Sequence, residues 1–474
     1  MLMKNMKLWM LAAILVISGN LDVFAQLQRT AAFHEKYTLR QAVVLSRHNI
    51  RSPISTKESL LGRITPHEWF EWSSAPSELS LRGGVLETEM GQYFRQWLVS
   101  EGLMMENAQP DEAKMRFYAN SMQRTIATAQ YFSSGMLPVA NVRIEHHYPV
   151  GTMDPVFNPQ LTVVSDAYRE QALQQIADLF GDGTMAGIGQ KVAAELKLVE
   201  EVVDLKDTPA YQQGDITGFG TDDVQVKLEL SAEPAMTGGL KTATGVSDAL
   251  VLQYYEESDE MKAAFGHSLT RDDWRRISAV KDWYGDVLFT APLVAVNVAH
   301  PLLQEMLAEL RQDGRQFTFL CGHDSNVGSV LAALGVEDYQ LAEAIESKTP
   351  IGCKLVVEHW MGNDGVDYVA LNLCYQRVDQ LRQMPLLSLK NPPMVCSLRF
   401  KGLTANVDGL YRLSDFEQLL TTAIAKYDGL LTAVESPKLS PVLPSLSTYL
   451  LNGTMTKKSA RGLVIEDGRK QINQ

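Results

Sequence analysis

The chain has 474 residues, of which 45% are hydrophobic and 21% are charged, and its formal net charge at pH 7 is -13. This composition excludes a disordered chain and a bundle of membrane helices, and the length allows a large core with more than one domain or subdomain. The acidic balance excludes a general nucleic-acid binder, which needs a basic surface. An anionic substrate would therefore have to be attracted by local positive charge.

The first residues have the pattern of a secretory signal peptide. Lys4 and Lys7 precede an apolar run over residues 8–17, and the small residue Ala25 ends the segment. The apolar run is too short to anchor the chain across a bilayer. We predict that residues 1–25 are cleaved, that the mature protein is periplasmic or secreted, and that it makes no membrane contact after cleavage.

Residues 39–45 predict a buried strand, which ends in the short apolar run Val43-Val44-Leu45. Two arginines flank a histidine directly after it: Arg47, His48 and Arg51. Guanidinium groups bind phosphate oxygens through a planar fork of donors, and a neutral imidazole between them can attack the phosphorus. The stretch indicates an anion pocket with a candidate nucleophile. Taken alone, it is equally compatible with a surface loop that carries scattered charges.

A second junction of a strand and a helix follows. Residues 115–119 predict the strand, and Ser121 can cap a helix that runs to about Ser134. Arg124 falls in the first turn of this helix, where a cation opposes the helix dipole. This unfavourable position favours a functional role for Arg124, and a salt bridge to an acid elsewhere is the alternative.

The middle of the chain changes to helical patterns. Residues 151–159, rich in Pro and Gly, mark a boundary, and residues 165–283 show successive helices with few strand signals. We predict that residues 151–289 form a mainly helical cap subdomain. It is inserted into an α/β core domain built from residues 26–150 and 290–425.

A third junction follows the helical block. Residues 317–321 predict a buried strand, after which come His323, Asp324 and the start of a helix. If the strands of the three junctions are parallel neighbours, their carboxyl ends share one edge of the sheet, where helix starts direct free amides toward a bound phosphate. Such a site needs no metal or other cofactor. A Gly-His-Asp sequence is also commonly a simple turn in which the aspartate caps the helix.

The rest of the chain predicts strands over residues 353–359 and 368–375 and a helix over residues 413–424. Residues 426–474, with a proline-rich stretch at 436–444, are predicted to be a partly mobile C-terminal extension.

The cysteines match no zinc signature, and their redox state stays open. An oxidising compartment would allow three disulfide pairings, and buried free thiols are equally compatible with the apolar runs around two of them. The residues concerned are Cys321, Cys353, Cys374 and Cys396.

Two of the junctions resemble the signatures of one enzyme family. Arg47-His48-Asn49-Ile50-Arg51-Ser52-Pro53 is similar to the R-H-G-x-R-x-P signature of the histidine acid phosphatases, with Asn49 where most members have Gly. Gly322-His323-Asp324-Ser325-Asn326 resembles their second signature. Asn49 and the motifs at residues 151–159 and 252–256 make the bacterial glucose-1-phosphatase branch the most similar. The resemblance extends from Leu39 to Ile424.

The resemblance implies a fold and a set of roles. The expected fold is α/β, with a mixed, largely parallel sheet, helices on both faces and the inserted helical subdomain. His48 would be the nucleophile that forms a phosphohistidine, and Asp324 would protonate the leaving ester oxygen. The residues expected to hold the phosphate are Arg47, Arg51, Arg124 and His323. An acidic optimum is expected because Asp324 must be protonated while positive charges surround it.

Substrate selection is expected from the helical block. Glu233, with Pro234 and residues 239–241, resembles a segment of the glucose-1-phosphatases that faces the leaving group. Glu233 is therefore a candidate contact to substrate hydroxyls, and an exposed acid beside a turn proline is an equally good interpretation.

The leading hypothesis is a secreted acid phosphatase acting on small phosphate monoesters, with glucose 1-phosphate and inositol phosphates as candidates. A non-catalytic periplasmic protein that binds phosphate esters is one alternative, against which the presence of both His48 and Asp324 argues. A phosphate-transferring mutase of the same superfamily is another, against which the export signal and the large helical block argue. The only partner expected is the small-molecule substrate, and the oligomeric state is left open.

Overall fold

The computed structural model describes residues 27–107 and 111–435 and, beyond them, short strands between 448 and 473. The predicted signal peptide, residues 1–25, and the proline-rich stretch at 436–444 lie outside the described residues. The chain divides into two compact units, and the boundary along the sequence lies between Leu430 and Leu431. The division into a core, a cap and an extension stays a prediction.

The strands are β1 Tyr37–Arg47, β2 Met115–Ala119, β3 Gln225–Lys227, β4 Ala235–Thr237, β5 Phe317–Gly322, β6 Lys354–Gly362, β7 Asp367–Tyr375, β8 Met394–Ser397, β9 Tyr411–Arg412, β10 Thr448–Leu450, β11 Met455–Thr456, β12 Gly462–Glu466 and β13 Arg469–Asn473. The α-helices are α1 Ala31–His34, α2 Leu81–Ser100, α3 Gln123–Met136, α4 Asp166–Phe180, α5 Met185–Gln190, α6 Ala193–Val202, α7 Pro209–Gln212, α8 Gly239–Glu256, α9 Glu260–Ala263, α10 Arg271–Phe289, α11 Pro292–Leu310, α12 Asp324–Ala333, α13 Val378–Gln383 and α14 Leu413–Glu435.

Within the described residues the central sheet has the strand order β2-β5-β1-β6-β7-β8, and β9 also pairs with β7. Strand β5 lies parallel between β2 and β1, whereas every other pairing in this sheet is antiparallel. The predicted mixed α/β sheet is confirmed, but the prediction that it is largely parallel is wrong. Residues 363–366 join β6 to β7 directly, and so short a connection can join only antiparallel neighbours.

Helices cover both faces of this sheet, as predicted. Successive residues of β1 alternate between two hydrophobic clusters, because neighbouring side chains of a strand point to opposite faces. Val43 and Leu45 pack with residues of α11, α12 and α14. Ala42 and Val44 pack with residues of α2 and α3. Strand β1 is therefore buried on both faces of the sheet from Gln41 to Arg47.

The helices between residues 166 and 289 share a third hydrophobic cluster. Helix α10 begins with a capping box in which Thr270 Oγ1 accepts from the Asp273 N–H and Asp273 Oδ2 accepts from the Thr270 N–H. Its buried face carries Trp274, which stacks on Tyr254 of α8 with ring centroids 4.1 Å apart. This packing fixes α8 and α10 relative to each other.

Three further features of the described part of the chain bear on the predictions. All four cysteines are free thiols, three of them buried. No group of three or more His, Cys, Asp or Glu side chains among the described residues is arranged to hold a metal ion. No single described helix is long and apolar enough to cross a bilayer, although α10 and α11 reach that length and hydropathy as a pair bent by 85°.

Candidate active site

The three predicted junctions meet at one edge of the central sheet. In the parallel register, Arg47 of β1 lies opposite Gly322 of β5, so His48 and His323 follow at the same level. The His48 N–H donates to the Gly322 carbonyl at 3.0 Å. Strand β2 ends beside β5 at Ala119, and helices α3 and α12 both begin at this edge. The parallel part of the sheet therefore gathers the candidate residues.

His48 is buried and held in a single tautomer. Its Nδ1 lies 2.8 Å from the carbonyl oxygen of Asn49. Because a carbonyl can only accept, Nδ1 carries the proton and Nε2 keeps its lone pair. Burial and the neighbouring Arg124 and Arg51 lower the pKa of His48 well below its ordinary value. The imidazole is therefore neutral, which is the state a nucleophile requires.

His323 and Arg124 present two donors to the same point. Asn120 Nδ2 donates to His323 Nε2 at 2.7 Å, since Asn120 Oδ1 already accepts from the Asp154 N–H. The proton of His323 therefore lies on Nδ1, 3.4 Å from Arg124 Nη2. Two converging donors require an acceptor with negative charge between them, and a phosphate oxygen supplies it.

Arg124 does not serve a salt bridge within the described residues. Its Nη1 donates to Ser77 Oγ at 2.8 Å, and its buried Nε has no partner. Burial and Arg51 lower its pKa to about 10, at which it stays protonated. The predicted cap is wrong, because Met122 is the N-cap of α3 and the Ser121 hydroxyl accepts from the Tyr148 N–H. Arg124 thus brings to the site a positive charge that no carboxylate of the described residues contacts directly.

Asp324 lies beside Arg47 at the opening of the site. Its Oδ2 is 3.3 Å from Arg47 Nη2 and its side chain is 41% exposed. Asp324 is the first residue of α12 and His323 is the N-cap, so Asp324 is not merely a cap. Burial acts to raise the pKa of Asp324, but Arg47 and then Lys281 outweigh it and hold that pKa well below its usual value. Without a bound ligand, Asp324 is therefore a carboxylate.

A cleft of about 440 Å³ opens beside Asp324 and Arg51, between α8 and α10. Charged side chains of both signs line the cleft, together with hydroxyl groups from Ser55, Thr242, Thr244 and Tyr284. Glu233 does not line this cleft. It is exposed, and its pKa is raised by partial desolvation against the lowering effects of Arg124 and Lys241. Its proposed contact with the substrate stays a prediction.

Three charged residues of the site were missed from the sequence. Asp248 Oδ2 of α8 lies 3.0 Å from Arg51 Nη2. Lys281 Nζ of α10 lies 3.4 Å from Asp324 Oδ2. Glu346 is buried beneath Arg47, with its Oε1 2.5 Å from Arg47 Nη1. Lys281 carried a usable signal, because it falls four residues after Ile277 on the apolar stripe of α10, where a lysine needs a partner. Glu346 has no local signal.

Asn49, which departs from the glycine usual in the signature, is buried in a polar cluster behind His48. Its Nδ2 donates to Glu87 Oε1 at 2.8 Å, and Lys354 Nζ reaches the same oxygen at 2.8 Å. Gly352 makes the room: a Cβ at this position, whose φ is +70°, would lie 2.5 Å from Asn49 Nδ2. The larger residue is therefore accommodated by a glycine brought close by the fold.

The chain is similar to several known proteins over most of its length. Residues 38–373 match the sequence pattern of one protein family, the histidine phosphatase superfamily (branch 2). The chain is 36% identical over 399 residues to the glucose-1-phosphatase of Salmonella typhimurium, covering 82% of this chain and 93% of that protein. It is 34% identical to the glucose-1-phosphatase of Providencia rettgeri over 81% of this chain and 92% of the relative. The Hafnia alvei phytase in complex with myo-inositol hexakis sulphate matches with a TM-score of 0.73 and 25% identity, over 82% of this chain and 97% of that one.

Proposed function

Because the chain belongs to the histidine phosphatase superfamily (branch 2), we propose that it uses His48 to hydrolyse sugar phosphates such as glucose 1-phosphate outside the cytoplasm. Its similarity to two glucose-1-phosphatases indicates a phosphoric monoester hydrolase of the histidine acid phosphatase type. The observation that supports His48 best is its free Nε2 among three guanidinium groups, with Asp324 at the opening of the same site.

The first step transfers the phosphoryl group to the enzyme. His48 Nε2 attacks the phosphorus, the bond from phosphorus to the ester oxygen breaks, and a protonated Asp324 gives its proton to that oxygen. The electron pair of the broken bond stays on the leaving alcohol. A bound dianion offsets the surrounding positive charge, which raises the pKa of Asp324 and lets it hold a proton at acidic pH. The product is a phosphohistidine, whose Nδ1–H still donates to Asn49.

The second step returns the enzyme to its starting state. Water attacks the phosphohistidine, Asp324 takes a proton from the water, and inorganic phosphate leaves. Arg47, Arg51 and Arg124, together with His323, stabilise the charge on the phosphoryl oxygens in both steps. Phosphoryl transfer depends mostly on positioning and charge, and each well-placed donor is typically worth on the order of 10²–10³ in rate.

The cleft supports a leaving group that is neutral and rich in hydroxyls. Its lining carries the cations Arg51, Lys241, Lys281 and Lys348 and the acids Asp248, Asp282, Asp286 and Asp324. The acids can form hydrogen bonds with sugar hydroxyls, and each one that is ionised repels further phosphate groups. Burial raises the pKa of Asp286 to about 6 and that of Asp282 above its usual value, so their repulsion weakens at acidic pH. This balance favours a sugar carrying one phosphate over inositol hexakisphosphate.

A substrate panel tests the proposal. Phosphate release should be measured from glucose 1-phosphate, glucose 6-phosphate and inositol hexakisphosphate at about pH 4–6, the range in which a carboxyl can be protonated. We expect the highest kcat/KM for a hexose monophosphate. A preference for the hexakisphosphate would contradict the substrate, and no release from any ester would favour the non-catalytic binding protein. Glucose 6-phosphate formed from glucose 1-phosphate would favour the mutase.

Export is a separate part of the proposal. Residues 1–25 carry the pattern of a signal peptide. Sequencing the N-terminus of protein recovered from outside the cytoplasm should give Gln26 as the first residue. Recovery of the uncleaved chain from the cytoplasm alone would contradict it.

A further inference from the structure

Lys281 projects from the buried face of α10 to the floor of the cleft, with only 10% of its side chain exposed. Its Nζ lies 3.4 Å from Asp324 Oδ2 and 3.3 Å from Glu346 Oε1. Arg47 contacts the same two oxygens, at 3.3 Å and 2.5 Å. Two cations and two carboxylates therefore alternate around a closed ring, called here the four-charge ring: Arg47, Asp324, Lys281 and Glu346.

Glu346 fixes the far side of this ring. Its Oε2 accepts from the Ile351 N–H at 2.8 Å and from the Tyr255 hydroxyl at 3.3 Å. Burial acts to raise the pKa of Glu346, but Arg47 and Lys281 outweigh it and lower that pKa, so the group stays ionised. Only 1% of its side chain is exposed, against 41% for Asp324. The buried members of the ring thus hold one oxygen of the accessible member in place.

The surroundings of Asp324 set Lys281 apart from the other groups. Arg47, His48, Lys281 and His323 face Asp324, and Asp282 faces Lys281, with its Oδ1 4.0 Å from Lys281 Nζ. Arg51, Arg124 and Glu233 lie in the same electrostatic environment. The arginines and His323 are expected to hold phosphate oxygens, and His48 is the candidate nucleophile. Lys281 has neither role, because Glu346 and Asp324 already occupy its ammonium group. Removing it changes the environment of Asp324 and leaves the phosphate ligands in place.

We propose that Lys281, held by Glu346, is a positioning residue that aims the Asp324 carboxyl at the leaving oxygen and controls how readily Asp324 gives up its proton. This inference rests on the proposed function. An adjacent ammonium group favours the carboxylate, so losing it favours the acid. Losing Glu346 has the reverse effect, because Arg47 and Lys281 then lack one of their carboxylate partners and stabilise the Asp324 carboxylate more strongly. Opposite responses to the two changes are the signature of the four-charge ring.

The test compares pH profiles of kcat for glucose 1-phosphate and p-nitrophenyl phosphate. The first has a poor leaving group that needs an acid, and the second has a good one that does not. In Lys281→Met, the alkaline limb for glucose 1-phosphate should move up by about one to two pH units. In Glu346→Gln it should move down. The limb for p-nitrophenyl phosphate should move little in either variant, and Lys281→Arg should restore the wild-type profile.

Lys191→Met is the matched control. Lys191 is an exposed lysine of the same helical region, and its Nζ lies 2.7 Å from Asp182 Oδ2. Its profile should equal that of the unchanged protein. An unmoved limb in Lys281→Met, or equal losses of kcat for both substrates, would overturn the inference. Should Glu346→Gln not fold, the comparison of Lys281→Met with Lys281→Arg decides alone. If the unchanged protein hydrolysed neither ester, the proposed function itself would have failed.

Discussion

At the scale of single residues, the site combines a neutral imidazole, that of His48, with an ionised carboxylate, that of Asp324. Several cationic side chains surround both groups. His48 is neutral because burial and nearby guanidinium groups oppose its protonation, and a main-chain carbonyl fixes its tautomer. Asp324 is a carboxylate because Arg47 and Lys281 outweigh its desolvation. Both states suit the attack step, and only the acid has to change its protonation before the leaving group departs.

Replacing the nucleophile should abolish turnover. We expect His48→Ala to lower kcat for glucose 1-phosphate on the order of 10⁴–10⁶-fold, the range for losing a residue of a covalent catalytic unit. The unchanged enzyme, quenched in alkali during turnover of a phosphorus-labelled substrate, should carry label on His48 in peptide mass spectra. His359→Ala is the control, because His359 Nε2 pairs with Asp367 Oδ1 within β6 and β7. Label on another residue would rule out this assignment.

Replacing the acid should give a loss that depends on the leaving group. In Asp324→Asn, kcat for glucose 1-phosphate should fall by roughly 10²–10⁴, the usual contribution of a general acid. The loss for p-nitrophenyl phosphate should be much smaller, because that leaving group departs as an anion. Equal losses for both substrates would indicate that Asp324 binds and does not donate.

At the scale of the elements, the backbone carrying His48 is tied to two neighbours by a buried polar cluster. Asn49 follows β1, Glu87 lies on α2 and Lys354 begins β6, and all three are buried. Lys354 Nζ also donates to the Gly352 carbonyl at 2.7 Å. The strand end that carries the proposed nucleophile is thus held by a helix on one side and a strand on the other.

Breaking this cluster should cost stability. Glu87→Ala leaves the buried ammonium group of Lys354 unpaired, and we expect the free energy of unfolding in urea to fall by about 3–5 kcal/mol. The control is Lys36→Ala, which removes an exposed partner of Asp408 and should cost less than about 1 kcal/mol. If both variants lost similar small amounts, the cluster would not stabilise the fold as argued.

At the scale of the whole molecule, the two buried histidines of the candidate site impose a pH dependence on folding. Burial, followed by Arg124, lowers the pKa of both His48 and His323 well below the ordinary value. The unfolded chain, whose histidines titrate near their ordinary value of about 6.5, therefore binds more protons than the folded chain below that pH. The contribution of these two neutral histidines to the free energy of unfolding is fully present above about pH 6.5. It is lost as the pH falls toward the pKa values of the folded state.

This sign can be measured. Urea unfolding at about pH 7 and about pH 5 should show a loss of up to roughly 1.4 kcal/mol per pH unit for each of these histidines. The double variant His48→Asn, His323→Asn should have a shallower dependence. Inorganic phosphate, the proposed product, should bind the folded site and stabilise the protein at the acidic pH. If the pH dependence of unfolding were unchanged in the double variant, the effect would belong to other groups, such as His300, whose pKa is also lowered by burial.

The sequence alone predicted those parts of the site that depend on neighbours along the chain. His48 lies between two arginines that are one and three residues away, and Asp324 follows His323, so each group is recognisable before any folding is considered. The run of β1 was readable because a strand buried on both faces is almost continuously apolar.

Only the tertiary structure decided which distant side chains complete the site and how the strands pair. Lys281, Glu346 and Asp248 come from a helix, a loop and another helix that no local pattern connects to Asp324 or Arg51. Among the strands of the described residues, parallel ladders join only β1, β2 and β5, because the hydrogen-bond partner of a strand depends on the route of the chain between strands. Charges buried far apart in sequence find each other only when packing brings them together, since each needs a partner of opposite sign to leave water.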